Sequence, residues 1–597
     1  MPKYVVREAP SLEIEKDLRA YSPLTRQLLY GRGIVSAEEA EKFLAPHYEN
    51  HSHDPFLMKN MEKAVERILK AVKDDERIAI FSDYDADGIP GAVVLHDFFK
   101  RIGHLNFENY IPDRHGEGFG LNGRAVEELA KAGAKLLITI DCGITDVEEV
   151  AQANELGMDV IITDHHLCNG AVPAAYAVLN PKQTDCTYPE KMLCGSGVVF
   201  KLIQALCLRI RSPLGFGTCD LGFPASTFPI GWEKWMLDMI GLATMSDMVP
   251  LTGENRVFAY YGLKVLKKSP RKGLNELLSV LRLNRADLNE DDIGFSIAPR
   301  INAASRMGQP MDAFRLFATQ DDNEAATLAR HLDKINSERK GKVASLVKEV
   351  RRHVEERGLR KVVVAGNPNW RPALLGLVAN SLAEDMGCPV FLWGREESPE
   401  LKGSCRSDGS VDLSLLMQEA HSVFSDFGGH KEAGGFSTTL EKVHLLEAEL
   451  ERAYEKIRQE RSNPPASGFD LVDATLSFDE VNERTYTEVQ RLAPFGVGNP
   501  KPVFLFENAE VRRMEQFGRE KQHLKLTFAK SDGVYVNAIK FYAKTEDFPV
   551  LREPRTDLGS GERSVLGGLP QVNLLAHLEK STFGNRTEFR LRIVDIV

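Results

Sequence analysis

Between residues 60 and 165, short apolar runs alternate with amphipathic stretches. Met61 to Val72 repeats its apolar residues at helical spacing, and Arg77-Ile78-Ala79-Ile80-Phe81 is a short apolar run. A helix with Pro90 in its first turn follows, then a helix over Arg124 to Ala132, the run Lys135 to Ile140, a helix over Val147 to Leu156 and the run Asp159 to Thr163. Short β-rich runs separated by helical repeats predict a parallel sheet with right-handed crossovers.

Each run ends in chemistry-bearing residues: Asp83-Tyr84-Asp85-Ala86-Asp87-Gly88, Asp141-Cys142-Gly143 and Asp164-His165-His166. The carboxyl ends of an open parallel sheet line one edge, where ligands bind. Neighbouring strands sit ~4.8 Å apart, so Asp85, Asp87, Asp141 and His165 are expected to converge. Read as an extended segment, Asp83, Asp85 and Asp87 point to one side. Carboxylates so gathered repel one another unless cations sit between them. The paired histidines His165 and His166, behind the carboxylate of Asp164, read as part of a metal cluster that cuts phosphodiester bonds.

The remaining pattern divides the chain further. Residues 1–50 predict a polar helical lead-in, with Ser36 and Glu39 in capping-box spacing. An apolar helix, Met236 to Thr244, is followed by Asp247, which gains interest only beside the other carboxylates. Ile297 to Arg306 reads as a buried, alanine-rich loop whose Arg300 and Arg306 need anionic partners, phosphate fitting their geometry. Residues 321–358 predict a long connecting helix, interrupted at Gly341 and stopped near Gly358. A second α/β unit spans 359–460, where Ser404, Arg406, His430 and the glycine-rich loop Gly428 to Gly435 suggest a phosphate or sugar clamp.

Arg461 to Ser467 carries a linker composition. Several short strands beyond it predict an OB-like β-barrel over 465–597. Its Arg512, Arg513, Phe517, Arg519, Lys521, His523, Lys525, Phe528, Lys540 and Phe541 interleave charge with rings, as a single-strand platform does.

Composition changes little in this outline. The 597 residues, 43% hydrophobic and 27% charged, are ordinary for a globular protein. No apolar run approaches the ~18 residues that would span a bilayer, and the N-terminus lacks a signal-peptide core. A cytoplasmic location is expected. A net charge of −11 argues against nonspecific coating of nucleic acid, while a carboxylate metal cluster contributes to that sum. The eight cysteines form no C-x-x-C pair and read as reduced thiols; Cys142 and Cys168, near the cluster, read as small apolar filler.

Taken in order, these motifs resemble the RecJ-type single-strand-specific exonucleases of the DHH phosphoesterase superfamily. The resemblance also takes in Ala243 to Val249, Ala298-Pro299-Arg300-Ile301-Asn302-Ala303-Ala304, Gly428-Gly429-His430 and Leu492 to Pro500, and so covers nearly the whole chain. It implies a parallel-sheet DHH domain over 51–320, a DHH-associated domain over 359–460 and the OB-like domain. It implies that Asp85, Asp87, Asp141, His165 and Asp247 hold two divalent cations, with Asp83 at a position that is His or Asp in relatives. Arg114, Arg300, Arg406 and His430 match positions that hold substrate phosphates. The sequence departs from the family at Phe119, Ser305 and Cys405, each near a substrate loop.

The implied activity is 5′ degradation of single-stranded DNA in recombination and repair. A single-strand-binding protein and a helicase would be partners, and the chain a monomer with no membrane contact. Carboxylates plus imidazole suit Mn2+ or Mg2+, the nitrogen ligand favouring Mn2+. Two other readings stay open: a phosphoesterase for short oligonucleotides or small phosphorylated substrates, for which the C-terminal barrel is surplus, and a non-catalytic replication scaffold, which the full ligand set disfavours.

Overall fold

The computed structural model describes residues 4–168, 170–211, 227–395, 400–460, 470–551, 570–582 and 587–597. The expected linker at 461–467 and Cys219 lie outside them. The chain separates into two compact units, one made of His53–Asp247 and Tyr261–Ser467, the other of Met1–Ser52, Met248–Tyr260 and Gly468–Val597.

The first unit opens on strands β1 (Ile78–Ser82), β2 (Phe107–Tyr110), β3 (Leu136–Ile140), β4 (Asp159–Thr163) and β5 (Ala177–Leu179). They form a parallel sheet in the order β2-β1-β3-β4-β5. Helices α1 (Met61–Lys73), α2 (Gly88–Ile102), α3 (Gly123–Lys131), α4 (Val147–Glu155) and α5 (Gly195–Arg211) accompany it. β1 and β3 are buried throughout, as strands covered on both faces must be. One face packs Phe81, Leu137 and Ile162 against Val126, Leu129 and Val150; truncating Phe81 to alanine there would cost about 3–5 kcal/mol.

The chain leaves β1 to add β2 on one side and returns to add β3 on the other. That reversal opens a crevice at the carboxyl ends of β1 and β3. Beyond the strands the ladder continues for one more residue: Asp83 N–H donates to Ile140 O (3.0 Å), Asp141 N–H to Thr163 O (2.9 Å) and Asp164 N–H to Leu179 O (3.0 Å). Three acidic residues therefore stand in one row at the mouth of the crevice.

Three expectations for this unit are corrected. Ala298–Met307 is a helix, α6, entered from a π-helical turn at Ile293–Ile297, rather than a loop; Pro299 supplies a pre-set φ for its first turn. Asp322–Arg357 is one unbroken helix of 36 residues, α7, capped by Asp321 and ended at Gly358. A single glycine, Gly341, costs about 1 kcal/mol inside a helix, too little to interrupt one packed against α6 and against α8 (Pro372–Met386). The run Gly428 to Gly435 is not a loop but most of a hairpin.

That hairpin joins β9 (Asp426–Gly429) to β10 (Ala433–Thr438). With β6 (Val363–Gly366), β7 (Val390–Gly394) and β8 (Leu401–Arg406) it forms a mixed sheet in the order β9-β10-β8-β7-β6. The glycines serve close packing: a Cβ on Gly403 would lie 2.1 Å from Phe436.

In the second unit, residues expected as a lead-in of their own share a core with the C-terminal strands. Leu18, Leu28, Leu29 and Leu44 pack with Phe504, Phe506, Leu526 and Leu574, and Tyr4–Val6 pairs in parallel with Asp470–Val472. Ser36 and Glu39 form the expected capping box. Seven strands follow: β11 (Ala474–Thr475), β12 (Phe504–Glu510), β13 (Arg513–Phe517), β14 (His523–Ala529), β15 (Tyr535–Lys540), β16 (Gln571–Ser581) and β17 (Glu588–Ile596). Their order is β11-β12-β16-β17-β15-β14-β13. This is the expected OB-like domain; among the described residues its terminal strands β11 and β13 do not pair, so no closed barrel is detected. Phe528, expected on the platform, is fully buried and stacks on Phe478 at 4.6 Å.

Candidate metal centre

The segment after β1 is a turn, not an extended run. Asp85 Oδ1 accepts from Asp87 N–H (2.7 Å) and Gly88 N–H (3.1 Å), which bends the chain into α2. The three aspartates therefore do not share one side. Asp83 and Asp85 converge with Asp141, while Asp87 converges with His165 and Asp247; within each group the ligand atoms lie within 4.8 Å of one another. Asp141 also converges with His165 and His166. Asp141 reaches these groups from a left-handed backbone, φ 60, a conformation that Asp tolerates better than most residues.

Two supports come from distant elements. Both oxygens of Asp87 are held by the first N–H groups of α5, Gly195 to Oδ2 (2.6 Å) and Ser196 to Oδ1 (2.8 Å); a helix N-terminus favours a carboxylate there by about 0.3–2 kcal/mol. Asn302 on α6 accepts from Ala86 N–H at 2.9 Å and pins the aspartate turn from above. The sequence carried no signal for Gly195 and Ser196 beyond a helix start, and Asn302 drew notice only within its motif.

Asp164 is the hub of the histidine corner. Its Oδ1 accepts from the His165 and His166 N–H groups (2.6 and 3.0 Å) and lies 2.8 Å from His166 Nδ1, while Oδ2 accepts from Ile144 N–H (3.0 Å). Burial alone would raise its pKa, but the His166 bonds win and hold it below the ordinary value; the same bonds overcome burial to raise His166. His165 points into the cluster, with Nε2 3.2 Å from Asp141 Oδ1, 3.7 Å from Asp247 Oδ2 and 3.9 Å from Asp87 Oδ2. Burial lowers its pKa, which keeps the ring neutral and able to donate a lone pair. Exposed Phe119 meets His166 edge to face at 5.7 Å.

The charge balance is unfavourable without cations. Burial first, then neighbouring carboxylates, push Asp83, Asp85 and Asp141 above the ordinary range, and Asp247 to about 9. Two carboxylates ~4 Å apart repel by roughly 4 kcal/mol at an effective dielectric of ~20, so the full set cannot ionise together. Asp83 Oδ1, Asp141 Oδ1 and His165 Nδ1 are buried without a hydrogen-bond partner among the described residues. Orphaned oxygens, a neutral imidazole and hard carboxylates fit divalent cations of the Mn2+ or Mg2+ class.

A pH dependence follows. An acid whose folded pKa exceeds its unfolded value binds more protons when folded between the two, so stability falls as pH rises across that span. For Asp247 the span runs from 3.8 to about 9. In EDTA the melting temperature is expected to fall between about pH 7 and 9, above the His165 titration, and the rise produced by Mn2+ to grow over the same interval. Calorimetric melts at both ends check it; an Mn2+ effect that shrinks with pH contradicts the assignment.

Of the basic residues expected at phosphates, Arg114 lies over the Tyr84 ring at 5.0 Å and faces Asp83 and Asp85. Arg306 sits beside Arg114 and Arg339; burial, then these like charges, lower its pKa to about 10, and its Nε is orphaned among the described residues. Its Nη1 donates to Ala373 O at 2.6 Å, tying α6 to α8. Arg300 instead has a protein partner, Asp333 on α7 at 2.9 Å. Ser404 and Arg406 share one side of β8 over Gly376. His430 is exposed at the hairpin tip, its N–H bonded to Ala433 O at 2.7 Å. Among the described residues no hydrogen bond or ion pair links Arg406 or His430 to the aspartates.

Comparison with known proteins is consistent along the chain. The family models described as "DHH family, N-terminal domain", "DHHA1 domain" and "RecJ OB domain" match residues 77–217, 359–460 and 472–595. The single-stranded-DNA-specific exonuclease RecJ of Bacillus subtilis is 36% identical over 510 residues, 85% of this chain; the chain spans 61% of that relative's length. The Escherichia coli protein of the same name is 29% identical over 88% of this chain and 90% of its own. Two solved structures are similar: RecJ from Thermus thermophilus in complex with Mn2+ (TM-score 0.76, 25% identity, 99% of this chain and 79% of that one) and an exonuclease RecJ bound to manganese (TM-score 0.56, 30% identity, 68% and 96%).

Proposed function

Because the chain belongs to the RecJ family of DHH phosphoesterases, we propose that it hydrolyses single-stranded DNA from the 5′ end to mononucleotides, with Mn2+ or Mg2+, in recombination and repair. The observation that carries this reading is the buried carboxylate–histidine cluster with orphaned oxygens at the carboxyl edge of the parallel sheet. In this reading the protein is a cytoplasmic monomer, and a single-strand-binding protein and a helicase prepare its strand. Among the described residues no helix is long and apolar enough to cross a membrane.

Asp83, Asp85, Asp87, Asp141, His165 and Asp247 would hold two divalent cations. When bound, these neutralise charge on the phosphoryl oxygens and acidify a coordinated water. The chain's own contribution is arrangement. Asp164 fixes the backbone and ring of the histidine pair, α5 fixes Asp87, and Arg114 and Arg306 offer charge to the terminal phosphate. His166, its Nδ1 engaged by Asp164, is half exposed and suited to face a phosphate oxygen. Arg300, Ser404, Arg406 and His430 complete the proposed substrate contacts, Arg300 only by exchanging Asp333 for phosphate.

Digestion of 5′- and 3′-labelled DNA decides the matter: 5′-terminal mononucleotides released only from single strands support the reading, and equal attack on duplex rejects it.

The second unit supports strand binding through a ring cluster. His523 lies 5.1 Å from Phe517, 5.0 Å from Phe541 and 5.0 Å from Tyr542, and Arg592 covers Phe541 at 4.2 Å. Tyr542 is 83% exposed. Stacking on such rings contributes about 1–3 kcal/mol per base. The double change Phe541→Ala, Tyr542→Ala is expected to weaken single-strand binding at least about tenfold, read by fluorescence anisotropy, while short oligonucleotides are cut as before.

A further inference from the structure

The edge strand β5 leads into a turn that the proposed chemistry does not use. Asn180 Nδ2 donates to His166 O (2.9 Å), and Asn180 Oδ1 accepts from Lys182 N–H (2.8 Å). One amide therefore locks the backbone of Lys182 to that of the histidine pair. Gln183 braces the turn from beneath, its Nε2 donating to Val178 O (2.9 Å) and Asn180 O (3.1 Å). The Lys182 side chain is half-buried, and among the described residues its ammonium has neither an ion pair nor a hydrogen bond. Its charge acts on Asp247, Asp164, Asp141 and Cys168 and on the rings of His165 and His166. A half-buried ammonium held by a rigid turn and left without a partner is a site for an anion.

The charges have sides. Arg114 lies over the ring of Tyr84, between Asp83 and Asp85 in the turn, and Arg306 acts on Asp85, whereas Asn180 fastens the Lys182 turn to the histidine pair on the other side of the cluster. If the arginines hold the terminal phosphate and the cluster the scissile one, the next phosphate along the strand falls to Lys182. We propose that Lys182 is a further substrate-contacting residue, its ammonium binding the phosphate on the 3′ side of the scissile bond. This rests on the exonuclease reading above.

The test compares 5′-phosphorylated dinucleotides, which carry only the terminal and scissile phosphates, with trinucleotides, which add the next one. Lys182→Ala is expected to lower kcat/KM on the trinucleotide about 10–100-fold, the range for a charge-assisted bond, and to change the dinucleotide by no more than about twofold. Lys182→Arg restores most of the loss. In EDTA, the slope of log K against log salt for binding a single strand falls by about 0.7. Equal losses on both substrates, or tighter Mn2+ binding with unchanged DNA binding, would make Lys182 only a counter-charge to the carboxylates and overturn the proposal. Wild-type protein that cuts no single strand with either metal overturns the exonuclease reading instead.

Discussion

An Asp141→Asn protein is expected to bind single-stranded DNA and to cut it at least about a thousandfold more slowly with Mn2+, a loss of ~4 kcal/mol of transition-state stabilisation. Asparagine is the informative replacement because it keeps two supports that alanine loses. It tolerates the left-handed backbone of position 141, φ 60, and it fills the same space above Gly195. What it removes is charge, and Asp141 is the residue that joins the Asp83–Asp85 group to the histidine corner. Burial and four neighbouring carboxylates raise the Asp141 pKa, so neutralising it relieves repulsion. In EDTA at pH 8 the variant should therefore melt no lower than the wild type, and Mn2+ should stabilise it less. Retention of Mn2+-dependent cutting within tenfold of wild type would remove Asp141 from the centre.

Gly195→Ala should be nearly as damaging without touching a ligand. A Cβ there would lie 2.6 Å from Asp141 Cβ and 2.6 Å from its Oδ1, and the same residue's N–H holds Asp87 Oδ2. Relief requires moving either the Asp141 carboxylate or the start of α5, and both belong to the cluster. A displacement on the order of 1 Å costs roughly a hundredfold in rate, so cleavage should fall by about that factor while the fold persists. Gly197→Ala is the internal control: its nearest contact would be an ordinary 3.5 Å, and its activity should stay near wild type. Parallel kinetics and circular dichroism melts separate the cases; equal activity of the two variants would show that the N-terminus of α5 does not position the carboxylates.

The outline of the centre was legible because its parts follow buried strands. Runs such as Leu136 to Ile140 can hardly be anything else, and parallel register then brings Asp83, Asp141 and Asp164 into one row. What was not legible depends on backbone atoms, which every residue possesses. The N–H groups of Gly195 and Ser196 hold Asp87 across 108 and 109 residues of chain, and neither side chain announces it. The turn at Asp85 hid for a related reason: Asp side chains bond their own backbone two residues on, which defeats an alternation argument. The helix Ala298–Met307 resembles a loop in sequence because its proline marks a start rather than a stop. The glycine run at 428–435 resembles one because strand glycines there answer to packing rather than to turning.

The second unit has a consequence for biosynthesis. Its core joins Leu18, Leu28 and Leu29 to strands that begin after residue 470. A ribosome adds ~5–20 residues per second, so the first 52 residues wait roughly 20–80 s for the roughly 400 residues of chain that separate them from their partners. Throughout that interval their leucines are the apolar surface a holdase chaperone would cover, and a chain truncated after residue 467 should display them to protease while the metal-centre unit is already resistant.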